Sequence, residues 1–464
     1  MMMQKRQSLG PLITLTLFLS VAFSQSAIGA DTISNYFFRD IAHPNLQQIN
    51  SQMLKAFDAE DYEEALRLSG DLVKFAEQDT SIDKMSFARA LSNASIMNAL
   101  GGERGSAILT TTRAIELVED TDPFHFDLFN ILMVKSYTQN AEDMHADAED
   151  SLRRAQHITH RQDGVYSRKQ LPIIESLAGI KVAQGEFRDA DQEQRFNLKV
   201  SELAFGSGSE ELMPTLERLG NYFANRGSTI PISTVQEDRL YRDRLFREAT
   251  EMFERSIQII EDRYGDTDLR LLEPLKGLSR TKYLQGYGRV HAERPMERAL
   301  KIVQANPATD RADHARALVA LGDLYTTTSD NRASDAYMEA WELLGEEEEL
   351  DDLRYELFGR PVRLVPEAPI QPVLFRHPVD VEEGSELFVD IREDGRVRNS
   401  TVIEGNVPNS DRKLMRDFVS TMRFRPRIKD GELTATEGML LHQTYRVKNR
   451  EPKTSFNIST GVAP

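Results

Sequence analysis

One small residue recurs along most of this chain and restricts what the chain can become. Alanine stands at Ala65, Ala107, Ala148, Ala190, Ala249, Ala292 and Ala333, at intervals of 42, 41, 42, 59, 43 and 41 residues. Seven residues further on the side chain is again small at Ala114, Ala155, Ser256, Ala299 and Ala340, with Leu72 and Asn197 as exceptions. Ahead of the alanines lies a third set: Ser95, Ser136, Ala178, Gly220, Ser279 and Gly322, broken by Met53 in the first unit. Helical hydrophobic periodicity with short polar breaks runs through the same region, from about Pro44 to Leu344. Small residues seven apart share a helical face and let a neighbouring backbone come close. A lone helix pair cannot cover its own apolar face, so such units must stack. The repeat therefore predicts a mainly α fold of about seven helix pairs over residues 44–345, with the seven alanines as packing positions.

Three runs make the pattern specific: AEDYEEAL around Ala65, AQGEFRDA ending at Ala190, and LFREATEMFERSIQIIEDRYG around Ala249. They resemble the second-helix openings of tetratricopeptide (TPR) repeats, in the variety with longer helices. That resemblance implies a right-handed α-solenoid whose concave face binds peptides or other proteins. The fifth unit departs from the spacing. About 17 extra residues, near STIPISTVQEDRLYRDR at 228–244, separate its helices. A tolerated surface loop is the favoured expectation, and a partner contact the sharper alternative.

The amino terminus reads as an address. Lys5 and Arg6 precede an apolar stretch from Leu12 to Phe23, and small residues lead to Ala30. This order is that of a secretory signal peptide over residues 1–30, and the stretch falls short of the roughly 20 residues a spanning helix needs. A periplasmic protein is expected, with an inner-membrane anchor facing the periplasm as the alternative if the signal stays uncleaved. Any membrane contact would come through that anchor.

After the last repeat the acidic run GEEEELDD and the prolines Pro361, Pro366, Pro369, Pro372 and Pro378 predict a linker over 346–384. From Ser385 the period changes to alternation. Leu387, Val389 and Ile391 form a strand, EDG a turn, and RVRNSTVIEG the returning strand. Ser410 is placed as the N-cap of a helix whose Leu414, Phe418 and Met422 share a face. RFRPRI and MLLHQTYRV read as two further strands around the turn KDGE, and residues 451–464 as a flexible tail. One helix on a small antiparallel sheet is the expected α+β module, at 385–450.

VDIREDGRV from Val389, the helix ending in MRFRPRI, and the turn at Gly431 resemble the carboxy-terminal domain of the TonB family of energy transducers. The resemblance implies that the module reads an extended peptide by adding it as a strand at a sheet edge. The partners it implies are outer-membrane transporters or TonB-type motor components. The last strand supplies the candidate contact residues Leu440, Leu441, His442, Gln443, Thr444 and Tyr445. Pro378 joins them as the remnant of the Tyr-Pro pair usual in the family.

Composition excludes more than it supplies. The 464-residue chain has no cysteine, which removes disulfides, thiolate metal sites and cysteine nucleophiles. Its net charge of −17 argues against nucleic acid as a partner. The charge is uneven: residues 360–450 hold 16 Lys+Arg against 14 Asp+Glu, while 31–359 carry −21. That contrast points to separate partners or to a weak contact between array and module. His157 with His160, and Asp143–His145–Asp147, have no further ligand at metal spacing and read as structural. GSG at Gly206 and GYG at Gly286 follow no strand, and no nucleophile-elbow, zinc-protease or P-loop pattern occurs. The expectation is a non-enzymatic interaction protein with no cofactor and no metal: an accessory of TonB-dependent transport, or a general cell-envelope scaffold.

Overall fold

The computed structural model describes residues 33–230, 235–286, 289–345, 347–364, 380–404 and 409–448. The expected signal peptide at 1–30, Pro366 to Pro378 and the tail at 451–464 lie outside the described residues. The chain divides into two compact units, Met1–Ser207 and Gly208–Pro464.

The first unit holds four helix pairs: α1 (Pro44–Asp58) with α2 (Tyr62–Gln78), α3 (Lys84–Leu100) with α4 (Arg104–Glu119), α5 (Asp127–Ala141) with α6 (His145–Asp163), and α7 (Gln170–Ala183) with α8 (Phe187–Phe205). The second holds three: α9 (Met213–Thr229) with α10 (Gln236–Tyr264), α11 (Leu272–Gln285) with α12 (Arg289–Ala305), and α13 (Arg311–Thr327) with α14 (Arg332–Leu344). This is the TPR-like array of seven pairs that the alanine spacing predicts. Each signature alanine lies on a second helix, and the first six are fully buried. Ala333 is only half-buried; in α14 the buried face runs instead through Ala336, Tyr337 and Ala340.

The turns inside the pairs explain the register. In the first four and the last, one residue takes positive φ: Glu60 (61°), Gly102 (87°), Asp143 (57°), Gly185 (75°) and Ser329 (58°). The following N–H then reaches back to a carbonyl five residues earlier, as from Glu103 to Asn98 and from Glu186 to Lys181, both at 2.8 Å. This is a Schellman closure, which caps the first helix and aims the chain back along it. In the first four pairs the alanine stands five residues beyond the left-handed position, so its face is set by the turn.

Glycines on first helices accommodate aromatic rings from second helices. The Phe253 ring of α10 lies between Gly220 and Gly277, where an added Cβ would meet it at 2.7 and 2.2 Å. Tyr337 of α14 sits on Gly322 in the same way, at 2.5 Å.

Most of the insert is helical: residues 228–229 end α9 and 236–244 open α10, while 231–234 lie outside the described residues. The added turns of α10 have partners: Arg242 donates to the Leu284 carbonyl at 2.9 Å and stacks over Phe246. Likewise the acidic run is not a plain linker. It leads into α15 (Asp351–Phe358), whose Leu353, Leu357 and Phe358 are buried against α13 and α14. An apolar face one turn long was enough to fold a segment that its charges marked as solvated.

The carboxy-terminal strands are β1 (Val362–Arg363), β2 (Asp380–Ile391), β3 (Val397–Glu404), β4 (Phe424–Arg425), β5 (Arg427–Lys429), β6 (Glu432–Thr434) and β7 (Thr436–Lys448), with α16 (Asn409–Thr421) after β3. An antiparallel sheet in the order β3-β2-β7 carries α16 on one face. Leu387, Val389, Ile391 and Leu441 from the sheet bury against Met415, Val419 and Met422. Met415 and Val419 are the buried positions of the helix, with Phe418 at their margin; Met422 joins the cluster just beyond the helix end, and the Leu414 side chain lies outside the described residues. Ser410 is inside the helix and not its N-cap, because the helix begins one residue earlier.

RFRPRI was expected as one strand. Pro426, which has no N–H to donate, divides it. On one side β4 pairs with β1; on the other β5 pairs with β6 through the positive-φ turn Asp430–Gly431. Neither joins the main sheet, to which an isolated bridge between Arg396 and Arg423 connects them. These short ladders attach the module to the last helix pair. Ile428 and Leu433 enter one apolar cluster with Tyr337, Trp341, Leu357 and Phe358. Arg425 forks onto Asp323 of α13 at 2.9 and 2.7 Å and donates to the Leu357 carbonyl at 3.0 Å. Tyr337 donates to the same Asp323 at 2.8 Å.

Two measurements check this packing. Gly277→Ala should cost about 1–3 kcal/mol in urea unfolding, because the Phe253 ring cannot swing away from one glycine without striking the other. Gly70→Ala in α2, where an added Cβ meets nothing within 4 Å, should instead gain up to about 1 kcal/mol. Arg425→Ala should cost roughly 2–3 kcal/mol. A double-mutant cycle with Asp323→Ala should return a coupling of at least about 1 kcal/mol.

Candidate functional site

Within each unit, first helices touch one another as well as their partners: α1 with α3 and α3 with α5 in the first unit, α9 with α11 in the second. They therefore form a row with a common face. In the first unit this face is covered by the chain's own residues 33–41. In the second it is open and forms a groove of about 800 Å³.

The groove is built from α9, α11 and α13 and closed at one side by β1 and β4. Phe253, Gly277, Met296, Ala320 and Leu324 supply an apolar floor. Glu217 and Asn221 come from α9, Glu273, Lys276 and Arg280 from α11, Asp323 from α13, and Arg363 and Arg425 from the strands. Helical spacing explains the grouping: Glu273, Lys276 and Arg280 lie three and four residues apart on one face of α11.

The polar groups are arranged in pairs. Lys276 donates to Glu273 at 2.9 Å, Ser256 to Glu217 at 3.0 Å, and Tyr283 to the Thr327 carbonyl at 3.2 Å. Burial, with a contribution from the charge of Glu273, holds the Glu217 carboxyl above its ordinary value. Burial also works against the charge of Arg280, which meets the neutral amide of Asn225. Alternating charge over an apolar floor suits a peptide segment that carries both apolar and charged side chains. None of these groove residues belonged to the expected site, because their proximity arises only when three helices stack.

The residues expected to read a peptide lie on β7. Its backbone pairs with β2 along one side, with Phe388 opposite Leu440 and Leu387 opposite Leu441. Among the described strands β7 is an edge of the sheet. Leu440 (56% exposed) and His442 face outward, whereas Leu441 and Gln443 are buried. Phe388, 48% exposed, adjoins Leu440 on the outer face. The Thr444 and Tyr445 side chains, and all of Pro378, lie outside the described residues. Val362 and Arg363 of β1 line the groove and also border a shallower depression with Met439 and Leu440 of β7.

His157 packs on the Phe124 ring at 5.9 Å, beside Arg161 over the same ring, and His145 bonds to Asn140 at 2.9 Å. Among the described residues no group of three or more His, Asp or Glu is placed to hold a metal ion.

The sign of the Glu217 shift gives a test. A carboxyl raised in the folded state binds its proton more tightly there than in the unfolded chain. Its contribution to stability is then fully present below the ordinary value of 4.5 and is lost as pH rises through the folded value. Glu217→Gln should flatten that fall and raise the melting temperature at pH 7, as read by calorimetry across pH 4 to 8.

No protein-family model and no curated protein matches this chain. Solved structures do. BtubC from P. vanneervenii is 17% identical, with a TM-score of 0.36 over 58% of this chain and 96% of that one. A kinesin light chain from Podosopora anserina with nearly identical TPR-like repeats is 14% identical, with a TM-score of 0.37 over 48% and 97%. The apo quorum sensor NprR from B. thuringiensis is 10% identical, with a TM-score of 0.35 over 66% and 89%. At these values the reading of the fold rests on the helix pairs themselves.

Proposed function

We propose that this chain is a non-enzymatic interaction scaffold of the cell envelope. The groove of the second unit docks a segment of one protein partner, and the β7 edge takes an extended peptide from another by strand addition. The observation that carries this reading is the groove. It combines an apolar floor with charged groups of both signs, some of them in ion pairs such as Lys276 with Glu273 and Arg425 with Asp323, an arrangement suited to binding a mixed apolar and charged side-chain pattern. The edge supports strand addition, since a strand paired on one side offers its remaining N–H and C=O groups to a peptide.

In its finer form the proposal places the protein in the periplasm, as an accessory of TonB-dependent transport. The peptide read by β7 would then come from the amino-terminal region of an outer-membrane transporter. One observation favours the alternative, a general envelope scaffold without an energy-transducing role. Arg425 and the apolar cluster around Phe358 fix the module to the last helix pair, whereas a transducing module must be free to follow its receptor.

The two readings separate in one experiment on the full chain. Titration with a panel of transporter amino-terminal peptides should give binding with slowed hydrogen exchange at β7 amides, weakened about tenfold by Leu440→Asp, a loss of roughly 1.4 kcal/mol. Absence of binding across the panel would overturn the transport reading and leave the scaffold.

A further inference from the structure

The face of the first unit is not empty, and what fills it is held as a ligand is held. Residues 33–41 precede α1 and cross α1, α3 and α5 in extended form after a single 3₁₀ turn at Ser34–Tyr36. Their backbone joins no sheet. Asn93 of α3 accepts from the Phe38 N–H at 2.8 Å and donates to the Phe38 carbonyl at 2.8 Å. Asn50 of α1 donates to the same carbonyl at 2.9 Å and accepts from Asn93 at 2.7 Å. Gln47 accepts from the Ile41 N–H at 2.6 Å and donates to the Arg39 carbonyl at 3.1 Å. Arg89 donates to the Asp40 carbonyl at 3.1 Å and is itself fixed by the buried Asp127 of α5, 2.7 Å away. Four consecutive residues thus have main-chain groups met by side chains of the repeat.

Side-chain slots flank this clamp. The Phe37 ring meets Phe57 edge-on at 5.2 Å, Phe38 lies under the Arg89 guanidinium at 5.5 Å, and Tyr36 packs on Phe129 at 6.1 Å. Burial and the nearby Glu175 push the Tyr36 hydroxyl up to about 12.

Asn50 and Asn93 are fully buried and 43 residues apart, one repeat period. A buried main-chain N–H or C=O is costly unless its hydrogen bonds are met, and this pair of amides meets both groups of Phe38. Here the amides address atoms that every peptide has, while the slots select aromatic side chains.

We propose that this face is a peptide-binding site occupied in cis by the chain's own amino-terminal segment, and that it accepts in trans a partner segment of the same chemistry. That segment is a run with three adjacent aromatic residues, the backbone of the third entering the Asn50–Asn93 clamp. Displacement of residues 33–41 exposes the site.

The test uses the full chain carrying Phe37→Ala and Phe38→Ala, which empties two of the three slots and keeps the clamp. A labelled synthetic peptide spanning Ile33 to Ala42 should bind this variant at least tenfold more tightly than it binds the wild-type chain. Adding Asn93→Ala should weaken that binding at least tenfold, and a scrambled peptide should not bind. A folded variant that ignores the peptide, or binds the scrambled one equally, overturns the proposal. If the variant loses helical circular dichroism, recovery of the signal on adding the peptide supports the proposal. Failure to recover overturns it, since the segment is then part of the core.

Discussion

The closeness with which two helix backbones can approach sets everything else in this array. Where the side chain at a crossing is alanine, serine or glycine, the partner helix comes near enough to share a core, and each pair then presents the same face to the next. Ala65, Ala107, Ala148 and Ala190 hold this distance in the first unit. In the second unit Gly220 and Gly277 hold it in another way, by receiving a single phenylalanine between them. The row of first helices, and with it both grooves, follows from that spacing. A groove side chain such as Arg280 reaches its place because a residue with no side chain, Gly277, stands one turn before it.

The repeat was legible because packing leaves a period in the sequence. The small-residue positions needed no structure to find, and the one outlier, Ala333, has moved toward the end of its face because Tyr337 takes the central place in α14. The strands at 387–391 and 397–404 were legible for the same reason, by their alternation. What stayed hidden left no pattern of its own in the residue types. The insert at 228–244 looked like a loop because it interrupts the spacing, yet it continues two helices. The charges of the acidic run masked Leu353 and Leu357, a pair too short to register as amphipathic. The clamp at Asn50 and Asn93 was invisible, since nothing in two distant asparagines announces that both meet one carbonyl.

Charge behaves differently at short and long range here. Over whole segments the array is acidic and the module slightly basic, a contrast that screening weakens in salt. At one point it becomes a directed contact, the fork of Arg425 on Asp323, joined by the hydroxyl of Tyr337. The same Asp323 lines the groove, so the group that fixes the module also shapes the wall beside which a partner would lie.

The turns carry a consequence for how such a chain can change length. A three-residue closure with one left-handed position leaves no slack, and one residue added there would rotate the following helix by about 100°, taking its alanine off the shared face. Growth inside a pair is compatible with the packing only if the closure moves outward and both helices lengthen behind it. The fifth pair shows the lengthening: α10 has grown to 29 residues while Ala249 keeps its buried place. Insertions in this array are thus steered by phase, and the extra turns arrive already folded and already beside the groove.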